Sequence, residues 1–400
     1  KMINKKDQKL NLGDIITLDI GKIAHGGHFI ARHNGQVIFV RHAITGELAV
    51  VKITSVNSKI AFGDAIEILK ISKDRVNSPC KFSGPGNCGG CDFQHISITE
   101  QVKLKKFIIQ DQLKRIANID IEVNVISVES DSGLNWRTRF DFSISKNGKI
   151  GLYSSSTKDI TEIDKCLIAV NTINTLDIFQ RKWKGLDRLK VSSSSSNQVN
   201  IHRSGKNLSG PTQLNEIIGE NLYNISPGSF WQSHKNAPGI LIEKVIEFTN
   251  LKLDDCVCDL YGGVGLFSVP ILKKIGTTGK IHLIESDKSC IKDARKIFEK
   301  NKNVIIHFGK VEQKIGKIKN IDVIILDPPR NGAGKQVINQ IIDKSPRSIV
   351  YVSCDPASLA RDTKILLANT YSLDKIIGID LFPMTQHIEC VSLFIKKFNN

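Results

Sequence analysis

From about residue 223 onward the chain repeats one pattern, a short and almost wholly apolar run followed by a segment with helical spacing. The runs are Cys256-Val257-Cys258-Asp259-Leu260, Lys280-Ile281-His282-Leu283-Ile284, Val304-Ile305-Ile306, Asp322-Val323-Ile324-Ile325-Leu326 and Ser348-Ile349-Val350-Tyr351-Val352. Helical segments fall between most of them, as at Ser289 to Asn301. A strand without polar alternation is covered on both faces, and intervening helices supply the cover. The pattern therefore predicts a doubly wound α/β sheet with parallel strands. Such sheets bind ligands at the carboxyl ends of their strands, so the residues just past each run carry the chemistry.

The first run ends in Asp259-Leu260-Tyr261-Gly262-Gly263-Val264-Gly265, ahead of a helix. Glycines there let backbone approach a ligand closely. Glu285 closes the second run twenty positions after Gly265, the spacing at which an acid meets ribose hydroxyls. NAD and S-adenosylmethionine both suit this arrangement; Asp259 and the Gly-Gly pair favour the latter. The fourth run ends in Asp327-Pro328-Pro329-Arg330. Enzymes that methylate exocyclic amines commonly carry an aromatic residue after Pro-Pro, and Arg330 in that place argues against such chemistry. The fifth ends in Ser353-Cys354-Asp355-Pro356, where a cysteine is either a thiolate nucleophile or a packed small hydrophobe. Glu389, in His387-Ile388-Glu389-Cys390-Val391, is either a general base with a raised pKa or a surface charge. Adjacent strands of one sheet would bring it to Cys354.

Upstream the pattern differs. Residues 1–72 hold short β-rich runs, Ile15 to Ile20, Val37 to Val40 and Leu48 to Ile53, separated by Gly26-Gly27, Asn34-Gly35 and Thr45-Gly46. Asn34-Gly35 between two strands predicts a tight hairpin, and the whole predicts a small OB-like β-barrel. Residues 73–222 form a β-rich central region that opens with a Gly/Pro-rich cysteine loop. In it a basic amphipathic helix is expected from an N-cap at Thr99 to about Ala117, with Val102, Phe107, Ile108 and Leu113 on its apolar side. This helix packs against the third region, 223–400, in the expected arrangement. The serine run Ser192 to Ser196 is expected as an exposed loop or edge strand. Arg137 and Arg139 are either RNA contacts or ordinary solvated strand charges.

Composition narrows the partners. With 40% hydrophobic and 24% charged residues the chain is globular, and no run nears the length of a membrane-spanning helix. Lys1-Met2-Ile3-Asn4-Lys5-Lys6 is basic but lacks a following apolar stretch, so no secretory leader is expected and a cytoplasmic protein is. Fifty-six Lys and Arg against 40 Asp and Glu leave +16, spread along the chain, which points to a polyanion such as nucleic acid. A lysine-rich compositional bias would give the same excess. No protein partner is indicated. Of nine cysteines, Cys80, Cys88 and Cys91 crowd together, a spacing that suits zinc or an iron–sulfur cluster once a fourth ligand is found. Cys256, Cys258, Cys290 and Cys390 fall in or beside core elements and are expected to pack.

Taken in order along the chain, these residues resemble the uracil-5 RNA methyltransferases, most closely the bacterial 23S ribosomal RNA branch with a TRAM domain and an iron–sulfur cluster. The resemblance covers nearly the whole chain, including Ser226-Pro227-Gly228-Ser229-Phe230-Trp231-Gln232; Thr45-Gly46-Glu47 departs from the family's Pro-Gly-Glu only at Thr45. It implies a Rossmann-like class I methyltransferase domain, with S-adenosylmethionine held by Gln232, Tyr261, Glu285 and Asp327. Cys354 is implied as nucleophile and Glu389 as base. A 4Fe–4S cluster is implied on Cys80, Cys88, Cys91 and Cys166, with zinc the lesser alternative. The implied substrate is 23S ribosomal RNA. Three rivals remain in view. A transfer RNA enzyme would be expected to lack the barrel and cluster. A non-catalytic RNA-binding protein would be expected to lose Cys354 or Glu389. A nicotinamide oxidoreductase would leave Asp-Pro-Pro-Arg and Ser-Cys-Asp-Pro unexplained.

Overall fold

Asn34 and Gly35 both adopt positive φ, 48° and 82°, and make the tight turn expected of them. In this computed structural model, which describes residues 9–128, 132–155, 157–203 and 205–397, they join two strands of an N-terminal sheet. The basic residues Lys1 to Lys6 lie outside the described residues. The sheet comprises β1 (Ile15–Asp19), β2 (Phe29–His33), β3 (Gln36–Arg41), β4 (Leu48–Val56) and β5 (Ile60–Lys70). Its order is β1-β4-β5-β3-β2, so the expected barrel is not closed: β1 and β2 are edges. All five residues of β1 pair with β4, and only residues beyond it reach β2, with Gly21 N donating to Ile30 O (2.8 Å) and Ile30 N to Lys22 O (2.9 Å). The Thr45-Gly46-Glu47 turn forms without proline. Glu47 is buried there and accepts from Arg75 Nε (2.6 Å), Arg75 Nη2 (2.7 Å) and Ile44 N (2.8 Å).

Ser97, not Thr99, caps the following helix, its hydroxyl accepting from Glu100 N (3.4 Å), the third helical residue. The α-helix, α1, spans Ile98–Gln112, then widens into a π turn over Leu113–Ala117 that stops at Asn118, in the left-handed conformation with φ 58°. Its buried side carries Leu104, Ile108, Ile109 and Leu113, together with Gln101, Lys105 and Gln112. Phe107, expected on that side, is 38% exposed. The buried stripe is rotated because Gln101 and Lys105 find polar partners inside, described below.

After β6 (Asn124–Ser127) come β7 (Arg139–Ile144), β8 (Ile150–Tyr153), β9 (Ile160–Glu162), the single-turn α2 (Asn171–Asn174), β10 (Arg188–Ser193), β11 (Val199–Arg203) and β12 (Lys206–Ser209). They form a central sheet in the order β12-β11-β10-β7-β8-β9, without β6. The serine run is thus partly interior, not an exposed loop or edge. Ser192, Ser193 and Ser194 are buried, and the Ser193 hydroxyl lies 2.6 Å from that of Thr172. A small hydroxyl with a partner is tolerated in such a strand. A hairpin of β13 (Leu214–Ile218) and β14 (Asn221–Ile225) leads onward.

The rest alternates as expected: α3 (Ala237–Thr249), β15 (Cys256–Leu260), α4 (Ser268–Ile275), β16 (Lys280–Glu285), α5 (Lys288–Ile297), β17 (Val304–Phe308), α6 (Val311–Lys314), β18 (Val323–Leu326), α7 (Gly334–Lys344), β19 (Ser348–Ser353), α8 (Pro356–Leu367), β20 (Tyr371–Asp380) and β21 (Glu389–Lys396). The sheet order is β17-β16-β15-β18-β19-β21-β20-β6. The five expected strands, β15 to β19, are parallel, β21 is antiparallel to both neighbours, and β6 from the central region extends the edge. The apolar runs are explained by two cores. Cys258, Leu260, Ile324, Leu326, Ile349 and Tyr351 face one core, where α7, α8 and α1 pack. Val257, Val323, Ile325, Val350 and Val352 face the other, with α3 and α4. Each such side chain contributes roughly 1.5–3 kcal/mol on burial. No helix among the described residues is long and apolar enough to cross a membrane.

Candidate active site

Ser353 and Cys390 are the last paired residues where β19 runs antiparallel to β21. One step further out stand Cys354 and Glu389, so the register brings the two expected residues to one edge. That edge also holds Asp259, at the penultimate position of β15, and Asp327, just past β18. Asp355 caps α8, its Oδ1 accepting from Ser358 N (2.7 Å), and so fixes the turn that carries Cys354.

The charges at this edge oppose one another. Glu389 is 4% exposed and its Oε1 has no hydrogen-bond partner. Burial, and then the charge of Asp327, push its carboxyl well above the usual range. Burial raises Asp327 to about 7, with Asp259 adding to it. Asp259 is also raised to about 7 by burial, although Ser268 Oγ donates to its Oδ2 (2.6 Å). Burial pushes the Cys354 thiol up to about 12, reinforced by Glu389 and Asp327 and opposed by Arg330. Crowded, proton-holding carboxyls beside a thiol make a site that a cationic ligand would relieve. The same register sets a thiol next to a buried carboxyl, the residue types that nucleophilic catalysis with a general base requires.

The loop before α3 supplies the next expected residue. Asp293 of α5 is fully buried and clamps this loop, accepting from Ser226 N, Ser226 Oγ and Ser229 Oγ, each at 2.7 Å. Gln232 follows, its Nε2 3.5 Å from Asp327 Oδ2. With Tyr261, Gly262, Gly263 and Asp327 it lines a small cavity of about 30 Å³. Gly262 is required there, because a Cβ would lie 2.8 Å from Leu283 Cγ and 3.1 Å from Asp259 Cγ. Tyr261 has φ 59°, a strained conformation for a residue with a side chain, as is common at binding turns. Glu285 Oε2 accepts from Gly263 N (3.0 Å) and Oε1 from Asp287 N (2.7 Å), which ties the ends of β15 and β16 together.

The four expected cysteine ligands are brought together elsewhere. Cys80, Cys88, Cys91 and Cys166 line one cavity of about 180 Å³, walled by Phe82, Phe140, Leu152 and Ile163. Burial raises the thiols of Cys88, Cys91 and Cys166, with Cys166 at about 11, and neighbouring cysteines raise each further. Among the described residues no group of three or more His, Cys, Asp or Glu is placed to hold a metal ion. Cys258, Cys290 and Cys390 are buried as expected, while Cys256 is only partly so.

Arg137 and Arg139 are not solvated strand charges. Burial lowers both, Arg139 to about 10. Arg137 lines the cysteine cavity and lies over the Phe140 ring, 5.1 Å from its centroid. Its side chain donates from Nε to Arg139 O (3.0 Å) and has no carboxylate partner among the described residues. A basic residue two places from another in a strand gave no sign of this, because burial here depends on the loop folded over the strand. A second unanticipated contact is the 2.8 Å pair between His25, in the turn after β1, and Asp355. His25-Gly26-Gly27 reads locally only as a turn.

Residues 212–397 match the family described as tRNA (Uracil-5-)-methyltransferase, and residues 9–66 match the TRAM domain. An uncharacterized RNA methyltransferase of Streptomyces avermitilis is 35% identical over 425 residues, covering 96% of this chain and 98% of its own. One from Caldanaerobacter subterraneus subsp. tengcongensis is 30% identical, covering 96% and 99%. Among solved structures, the tRNA (uracil-54, C5)-methyltransferase of Pyrococcus abyssi in complex with S-adenosyl-L-homocysteine aligns with a TM-score of 0.74 at 24% identity. That alignment takes in 95% of this chain and 100% of the other, a likeness of fold.

Proposed function

We propose that this chain, which belongs to the TRAM-containing RNA (uracil-5-)-methyltransferase family, uses S-adenosylmethionine to methylate carbon 5 of a uracil in RNA. The observation that carries this reading is the register that sets Cys354 beside Glu389, whose buried Oε1 lacks a partner. We take residues 1–72, 73–222 and 223–400 as its three modules, with α1 and β6 lent by the second to the third.

Gln232, Tyr261, Glu285 and Asp327 would hold the cofactor, and the crowded carboxyls at this edge suit its ammonium and sulfonium charges. Bound there, it supplies an electrophilic methyl group. Uracil carbon 5 is too weak a nucleophile to take that methyl unaided. Cys354 therefore adds as thiolate to carbon 6, and the displaced electron pair makes carbon 5 the nucleophilic end of an enolate. Once carbon 5 is methylated, Glu389 removes its proton, the enolate re-forms and the bond from carbon 6 to Cys354 breaks, restoring the thiolate. The raised proton affinity of Glu389 suits that task.

We assign a 4Fe–4S cluster, rather than one zinc ion, to Cys80, Cys88, Cys91 and Cys166. Two observations support a thiolate-bound group there: all four cysteines line one cavity, and among the described residues the Arg137 guanidinium on its wall has no carboxylate partner. Four thiolates around the group would supply that charge, tying the cysteine loop to the central sheet.

The favoured substrate is 23S ribosomal RNA, supported by the four-cysteine set Cys80, Cys88, Cys91 and Cys166. Transfer RNA is the second reading, because the Pyrococcus abyssi tRNA (uracil-54, C5)-methyltransferase shares the fold over nearly the whole of both chains. An N-terminal module is therefore no argument against transfer RNA, contrary to the expectation drawn from sequence. The test is incubation with methyl-labelled cofactor and total RNA lacking 5-methyluridine. Labelled 5-methyluridine in large ribosomal RNA supports the reading, and the same nucleoside in transfer RNA replaces the substrate. Label on cytosine or adenine, or none at all, would overturn the chemistry.

A further inference from the structure

The turn after β1, Ala24-His25-Gly26-Gly27, touches both loops that carry the proposed chemistry. His25 Nε2 donates to Asp355 Oδ2 at 2.8 Å, across 330 positions of sequence. Asp355 follows Cys354 directly and holds the N-terminus of α8 through its other oxygen. Two residues on, Gly27 (φ 77°) packs so tightly that a Cβ would lie 2.5 Å from Gln386 Cβ. Gln386 belongs to the loop that leads through His387 and Ile388 to Glu389, and its backbone N donates to Asp92 Oδ2 (3.3 Å). Asp92 in turn accepts from Arg41 of β3. One N-terminal turn thus sits against the nucleophile loop at one end and the base loop at the other.

From this juxtaposition we propose that His25 is a positioning residue, which acts through Asp355 to set the Cys354 loop for attack. The N-terminal module then contributes to the chemical step as well as to RNA capture. The inference rests on the proposed function for the step it names, but the contact itself can be tested without turnover.

The physical argument is local. Asp355 is held as an anion at about pKa 2: burial works against ionisation, and the hydrogen bonds from His25 and Ser358 N overcome it. That anion lies beside the thiol and is among the groups that raise it. His25 engages Oδ2, the oxygen that Ser358 N leaves open, and so fixes the side chain with a second, charge-assisted bond. Without His25 the carboxylate keeps its cap but loses its second anchor, and its charge bears more fully on the thiol.

The test uses the full-length protein as purified without oxygen. In His25→Ala, single-turnover methyl transfer should fall about tenfold, the loss expected of one charge-assisted hydrogen bond, while RNA affinity stays within about twofold. His25→Gln, which keeps a donor, should recover most of the rate. Iodoacetamide labelling, followed on the peptide that contains Cys354 with neither RNA nor cofactor present, should slow in His25→Ala. In an Asp355→Asn background the same His25 change should have no further effect. A normal rate with weakened RNA binding would make His25 an RNA contact and overturn the proposal. So would unchanged labelling, or additive effects of the two substitutions. If wild-type protein methylates no uracil in any RNA, the functional reading fails, and the labelling arm still decides the coupling between His25 and Asp355.

Discussion

Cys354 and Glu389, 35 positions apart in the chain, sit one step beyond the Ser353–Cys390 pair at the end of two antiparallel strands. Because β21 enters between β19 and β20 from the opposite direction, its first residue meets the carboxyl ends of the parallel strands. A parallel β21 would have carried Glu389 to the far edge of the sheet. The inverted strand is thus the feature of the fold that sets Cys354 beside Glu389, the pair proposed as nucleophile and base.

The two residues should fail differently. On the proposed mechanism Cys354→Ala removes the atom that activates carbon 5, and methyl transfer should fall by roughly a thousandfold or more. Glu389→Gln keeps the nucleophile but lacks a base to take the proton. It should accumulate protein joined to RNA, seen as a slow band on a denaturing gel that disappears when Cys354→Ala is added. A Glu389→Gln variant that turns over like wild type would remove this residue from the mechanism.

The buried carboxyls give the fold a definite pH dependence. Asp259 and Asp327 hold protons to about 7 when folded, against an ordinary value of 3.8. Between those values the folded state binds more protons than the unfolded one. The stability they lend is therefore complete below about pH 4 and lost as pH rises through 7. Relative to wild type, Asp327→Asn should gain thermal stability at pH 8, by roughly 2 °C or more, and little at pH 4. Melting curves of both proteins across that range give the comparison. A variant gaining most at pH 4 would reverse the assignment.

The cysteine cavity predicts a metal-dependent midpoint. Protein purified without oxygen should carry iron and visible charge-transfer absorption, and Cys91→Ser should lose both together with several degrees of melting temperature. Arg137→Met should narrow the gap between loaded and stripped protein, because the stripped wild type buries a guanidinium with no anion beside it. Colourless protein with stoichiometric zinc would replace the cluster by a single ion.

Much of the fold was legible in sequence, and the failures share a cause. Apolar runs without alternation could only be strands covered on both faces, so β15 to β19 followed directly. The Asn34-Gly35 turn was equally local. Phe107, Ser193 and Arg137 were misjudged because their burial depends on partners distant in the chain: the strands under α1, Thr172, and the cysteine loop. The open N-terminal sheet was missed because closure depends on where β1 ends relative to β2. For the site, strand ends offered Cys354, Glu389 and Asp327 as candidates, but their roles came only from the family resemblance. Nothing local in His25-Gly26-Gly27 could reveal a contact 330 positions away.

The helix α1 positions the base loop through two buried polar residues, which gives the last prediction. Lys105 and Asp380 are almost wholly buried and lie 2.6 Å apart, and Lys105 Nζ also donates to Phe382 O (3.0 Å). One turn earlier, Gln101 accepts from Met384 N (2.8 Å) and donates to Ile96 O (2.9 Å). Burial lowers the Lys105 ammonium, opposed by Asp380, so each charge depends on the other. Lys105→Met leaves Asp380 buried and unpaired, and should cost about 3–5 kcal/mol in urea unfolding. Lys105→Met with Asp380→Leu replaces the pair by apolar groups and should recover most of that loss. Turnover should not recover with it, because the loop running on to Glu389 loses both the Lys105 Nζ bond to Phe382 O and the bond that Phe382 N donates to Asp380 Oδ1 (3.3 Å). Recovery of both stability and kcat in the double variant would reduce the pair to a packing element.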